Sequence, residues 1–138
     1  MSKKEKELSP FEQKLNKWVE NHLTRIKVMD KIFLLDHLRT MLHAGLSLVE
    51  GLNVLAKELE NKHLLAIVRD ITKQVQKGNQ LSEALGKYPK VFPNMYVKMI
   101  AAGEIAGKME ESLEQIVKQM KKNYELTSSI KGAMIYPA

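Results

Sequence analysis

Apolar residues recur along this chain at intervals of three and four, the period of helices that each bury one face. Ser9-Pro10-Phe11-Glu12 reads as a helix start, with Ser at the cap, Pro in the first turn and Glu three residues after the cap. Phe11, Leu15, Trp18, Val19, His22 and Leu23 then share a face while Lys14, Lys17 and Glu20 lie elsewhere, which predicts an N-terminal amphipathic helix. Residues 1–8 carry mixed charge with nothing to bury, and disorder is expected there. Asp30 is expected to cap a helix over 31–44, with Leu34, Leu35, Leu38, Met41 and Leu42 facing inward and Gly45 ending it. Ser47 caps the next helix, with Glu50 three residues on and Leu48, Leu52, Leu55 and Leu59 as its stripe. Asn61 opens another, in which Leu64, Val68, Ile71 and Val75 align before Gly78 closes it. A short helix is expected over 81–86.

Residues 89–113 organise the remainder. Pro93-Asn94 suits a first helical turn, because proline's missing amide is unpaired there in any case. Met95, Met99, Ala102 and Ala106 recur at helical spacing, and Tyr96 and Ile100 widen the expected apolar face. Gly103 and Gly107, four apart, allow another helix to approach and supply a helix stop. A long last helix follows, with Met109, Leu113, Ile116 and Met120 on one stripe.

One unit repeats three times: Gly45…Leu48-Val-Glu50-Gly-Leu52, Gly78…Leu81-Ser-Glu83-Ala-Leu85 and Gly107…Met109-Glu-Glu111-Ser-Leu113. Each copy reads as a glycine stop, a short turn, then a helix with Glu in its first turn, facing free amides and the positive end of the helix dipole. Glu50, Glu83 and Glu111 are therefore expected to start helices and to have no part in chemistry. Repeated tight turns imply antiparallel neighbours. The fold expected is all-α: an up-and-down bundle of about six helices plus the N-terminal amphipathic helix, divided at 1–29 and 30–138.

Composition agrees. With 44% hydrophobic residues, 6% aromatic and eight Met, the chain suits Leu/Met-packed helices. No cysteine is present, so disulfides and thiolate metal sites are excluded. No run approaches the ~18 apolar residues of a membrane span, and the basic start lacks a signal-peptide core, so the sequence as it stands reads as soluble and not exported. The formal charge of +6 favours an acidic partner.

Catalysis finds no support. His37 and His43 fall on different faces of one helix, His22 lies on an apolar stripe and His63 stands beside Lys62, with no HExxH motif to make a metal site. There is no phosphate loop or dinucleotide fingerprint, so no cofactor is expected. The rival class is a basic helical nucleic-acid-binding domain, with Arg69, Lys73 and Lys77 on the best candidate helix. The interleaving of lysines with acids weighs against nucleic acid as a partner.

The string Pro89-x-Val-Phe-Pro-x-x-Tyr96-x-x-Met-Ile-x-Ala-Gly103-Glu104-x-x-Gly107 resembles the type II secretion system F family. So do Leu38-x-x-Met-Leu-x-Ala-Gly45-Leu-x-Leu48-x-x-x-Leu52, Gly78-x-x-Leu-Ser-x-Ala-Leu85 and Ala133-x-x-Tyr-Pro137, in that order over about residues 30–138. The chain departs at Asp36-His37, where the family usually carries Arg-Gln, and no role of that arginine transfers. The resemblance implies a six-helix cytoplasmic domain, one of two in an inner-membrane platform protein, with no catalysis of its own. It implies contacts with a hexameric assembly or secretion ATPase, with other inner-membrane assembly proteins and pilins, and a possible homodimer. It also implies that the chain is a fragment, joined to the membrane by segments after residue 138. Lys118, Lys121, Lys122 and Lys131 fit a cytoplasmic flank of a span. Secretion and pilus assembly both stay open. Lys98, Glu104 and Lys108 are the candidate partner contacts around the signature turn. Glu104 has a second reading, binding backbone amides in its turn or a neighbouring Lys, and Phe92 and Tyr96 are expected in the core.

Overall fold

The computed structural model describes residues 10–14 and 25–135. Residues 10–14 are helical and Phe11 is 72% exposed; the rest of the expected N-terminal amphipathic face (Leu15 to Leu23), with its Ser9 cap and the stretch 1–8, lies outside the described residues. Six further helices follow: α1 (Val28–His43), α2 (Leu48–Glu58), α3 (Lys62–Gln76), α4 (Leu81–Leu85), α5 (Asn94–Ala106) and α6 (Met109–Ile135). Each packs on the next, and α6 returns to pack on α1, so the bundle closes as a ring. The all-α reading is met, and no strand occurs among the described residues.

Caps set the helix limits. Ser47 Oγ accepts the Glu50 amide at 3.2 Å and Glu50 reaches back to the Ser47 amide at 3.3 Å, a reciprocal pair that satisfies two free donors of α2. Asn61 Oδ1 accepts the Leu64 amide at 2.9 Å at the start of α3. At the stops of α1, α3 and α5, Gly45, Gly78 and Gly107 take φ of 97°, 99° and 69°. In each case the amide after the glycine returns to a carbonyl five residues back: Leu46 to Met41, Asn79 to Gln74, Lys108 to Gly103. The repeated unit is thus a left-handed stop followed by a helix that begins on its apolar residue, at Leu48, Leu81 and Met109.

Two expectations are corrected here. Asp30 does not cap α1 from outside: the helix begins at Val28, and Asp30 sits in its first turn, accepting the Lys27 amide at 2.8 Å. The inward face of α5 is Tyr96, Ile100 and Gly103, whereas Met95, Ala102 and Ala106 lie on the open side and Met99 is half-buried. Because α5 is apolar on nearly every side, spacing alone could not choose the face.

The core joins Ile32, Leu34, Leu35 and Leu38 of α1, Leu52 and Leu55 of α2, and Leu64, Ile67, Val68 and Ile71 of α3. Leu81, Ala84 and Leu85 of α4, Ile100 of α5 and Leu113, Ile116, Val117 and Met120 of α6 complete it, with Phe92 and Tyr96 buried as expected. Thr72, the buried hydroxyl of α3, donates to the Val68 carbonyl at 2.7 Å, and among the described residues no buried side-chain polar atom lacks a partner. Tyr88, in the link from α4 to α5, donates its hydroxyl to the Asp70 carboxylate on α3. That bond, then burial, then the nearby charge push the Tyr88 phenol up to about 12. The same bond holds the Asp70 carboxyl below its ordinary value.

Helix α6 runs antiparallel to α1. His43, at the end of α1, meets Glu110 at 3.2 Å, near the start of α6; Asp36 meets Lys121 at 3.9 Å. Val28 and Lys31 share a groove with Tyr124 and Thr127. Burial in that groove lowers the Lys31 ammonium, and Arg25 adds to it.

Candidate partner-binding site

The turn between α5 and α6 is built from Gly103, Glu104, Gly107 and Lys108. Gly103 is buried within α5 and faces the first turns of α6. A Cβ there would stand 2.2 Å from Ser112 Oγ and 3.1 Å from the Lys108 carbonyl, so only a glycine lets the two helices meet. Gly107 reverses the chain, and the Lys108 amide closes the turn on the Gly103 carbonyl at 2.7 Å.

Glu104 uses both carboxylate oxygens on a different helix. Its oxygens accept the amides of Leu81 at 2.8 Å and Ser82 at 3.0 Å, the first two donors of α4. An anion at a helix N-terminus gains from the free amides and from the dipole. Of the two readings of Glu104, backbone amides are what the carboxylate meets, although they belong to α4 and not to its own turn. The place expected for Glu83 at those amides is filled by Glu104, and Glu83 itself is exposed. A contact spanning 22 and 23 residues has no local signature.

Lys98 and Lys108 are both exposed, and neither forms an ion pair among the described residues. Lys108 and Glu104 share a shallow groove of about 710 Å³ with Gln80 and Glu111. Lys98 lies outside it, more than a turn earlier on α5. Glu104 and Lys108 thus border one turn while Lys98 stands apart on α5, and the three do not converge on a reacting point. The open mouth and mixed charge suit recognition of a protein surface more than enclosure of a small molecule.

Among the described residues no group of three or more His, Asp or Glu is placed to hold a metal ion. His37 Nδ1 bonds the Phe33 carbonyl at 2.9 Å and its ring rests against Phe33, while His43 meets Glu110. Asp36, at the departure noted above, pairs with Arg39 at 2.9 Å. No helix among the described residues is long and apolar enough to cross a membrane.

Comparison with known proteins gives a consistent set. The family model described as type II secretion system (T2SS), protein F matches residues 34–138. The type IV pilus assembly protein TapC of Aeromonas hydrophila is 35% identical over 114 residues, 83% of this chain and 28% of that protein. The type IV pilus assembly protein PilC of Myxococcus xanthus is 30% identical over 98 residues, 71% of this chain and 24% of its own length. PilC of Thermus thermophilus is 37% identical over 100 residues, 72% and 24% of the two chains. The chain thus covers about a quarter of the length of these relatives.

Proposed function

Because the chain belongs to the type II secretion system protein F family, we propose that it is a non-catalytic cytoplasmic domain of an inner-membrane platform protein in pilus or pseudopilus assembly. In this reading a hexameric assembly ATPase binds the domain, and the movement of the ATPase is passed through the bundle to load or extract pilin subunits. Other inner-membrane assembly proteins, and a second copy of the domain, are further partners. The observation that carries the reading is the family match across residues 34–138, joined to relatives that are type IV pilus assembly proteins.

Lys98, Glu104 and Lys108 are the proposed ATPase contacts. The two lysines stand free at the surface, and Glu104 fixes the turn that carries Lys108 against α4. A rigid turn serves this purpose because force and position are passed on only if the contact does not yield. Affinity of one copy is weak and rises when several domains meet one hexamer. Surface charge steers the encounter, so binding falls with salt.

The test is titration of the domain against its cognate ATPase at low and high salt, beside Lys98→Glu/Lys108→Glu. We expect a loss of about tenfold with the double variant and a marked loss at high salt. Binding indifferent to both removes the patch. No binding even by the full-length protein in membranes removes the ATPase.

A further inference from the structure

Helix α5 is apolar on nearly every side. Between Asn94 and Ala106 its charged residues are Lys98 and Glu104, and Glu104 is engaged on α4. A helix of this composition belongs in an interior. Here it has an open side, on which Met95 is 56% and Ile105 84% exposed, with Ala102 and Ala106 exposed as well. Single exposed apolar side chains are ordinary, whereas several on one helix suit the docking of a partner.

Beside that surface α5 and α6 leave a groove of about 440 Å³, with Met95 and Met99 on one wall and Gln115, Lys118, Gln119 and Lys122 on the other. No carboxylate lines it. Lys122 forms no ion pair among the described residues, and Lys118 makes an exposed contact with Glu114 at 3.4 Å.

We propose that the α5–α6 groove docks an amphipathic helix of a partner protein, with apolar anchors against Met95 and Met99 and acidic residues against Lys118 and Lys122. A channel between two helices fits the ridge of a third, and anchors at helical spacing are the usual reading of such a groove. Methionine is unbranched and polarisable, so its wall adapts to the anchor presented. The ammonium groups on the facing wall select acidic flanks and set the direction of the incoming helix. A bilayer is a poorer fit, since it would have to follow a recess whose second wall is amide and ammonium. A second copy of the chain is also a poorer fit, because the formal charge of +6 opposes pairing through a basic groove. Lys98 and Lys108 do not line this groove, although Lys98 borders it on the open side of α5.

The probes are two short synthetic amphipathic helices with the same leucine spacing, one flanked by Glu and one by Lys, and vesicles of phosphatidylglycerol. Binding is followed by fluorescence anisotropy and by NMR shift changes, with melting curves to show that each variant is folded. The Glu peptide should bind and shift the signals of Met95, Met99 and residues 115–122. Met95→Ser should weaken it about tenfold. Lys118→Glu/Lys122→Glu should also weaken it and transfer preference to the Lys peptide. No binding by the Glu peptide, or equal binding by both peptides, overturns the proposal. Vesicle binding lost in these variants without peptide binding assigns the face to lipid. A dimer lost with Met95→Ser without peptide binding assigns it to a second copy. The variants leave Lys98 and Lys108 intact, so ATPase binding reads out separately.

Discussion

At the scale of single residues, the signature turn works through two side chains and one missing side chain. Gly103→Ala places a Cβ on Ser112 and the Lys108 carbonyl, and overpacking of this kind costs about 1–3 kcal/mol. The loss should be non-additive with Ser112→Gly, because removing the facing hydroxymethyl opens the space the new methyl needs. Paired melting curves of the single and double variants measure that coupling, and strict additivity would mean that the two helices do not meet there. Glu104→Ala should cost about 1–3 kcal/mol, since it strips two amides of a charged acceptor. Glu104→Gln should fall between, keeping an oxygen and losing the charge. Hydrogen exchange at Leu81 and Ser82 is the direct readout, and unchanged protection in the Ala variant would contradict the contact. Much of this turn was legible as local rules: a left-handed stop at Gly107, and a small residue at Gly103. The acceptor for α4 was not legible, because Glu104 and Leu81 are brought together only by the fold.

At the scale of elements, the stops and starts carried the reading. Ser47 with Glu50, Asn61 and the glycine stops all act within a turn or so, which is why spacing exposed them. Helix α1 starts before the residue that spacing suggests, because Lys27-Val28-Met29 holds no polar cap and Asp30 does its work from the first turn. Ser47→Ala should cost about 0.5–2 kcal/mol by freeing the Glu50 amide, seen as a lower melting temperature without loss of helix signal. The link from α4 to α5 is fastened to α3 by Tyr88 and Asp70, and this bond makes stability depend on pH at both extremes. The Tyr88 phenol is raised from 10.0 to about 12, so its contribution is complete below 10.0 and lost as pH climbs to 12. Asp70 is lowered from 3.8, so its contribution is present above that value and lost as pH falls beneath it. Tyr88→Phe should flatten both limbs and remove the latest tyrosinate step from an ultraviolet titration. Persistence of that step would assign it to another tyrosine.

At the scale of the whole molecule, six helices form a ring in which α6 meets both α5 and α1. Ile116, fully buried on α6, sits in the core on the closing helix. Ile116→Ala should cost about 2–5 kcal/mol and raise hydrogen exchange along α1 and α5 together. Loosening confined to α6 would show that closure is not cooperative. The hairpins of the ring follow from short turns that any helical pattern announces, whereas closure joins segments near opposite ends of the chain and leaves no local mark. Closure also has a mechanical side. Since α1 and α6 are antiparallel, the chain enters at Val28 and leaves past Tyr124 at the same end of the bundle. Tension applied between those two points peels α1 from α6 turn by turn, loading one row of contacts at a time. Compression, or a push against the opposite end, loads every row at once. The domain is therefore expected to give way to a pull between those two points at a lower force than to a thrust against the opposite end.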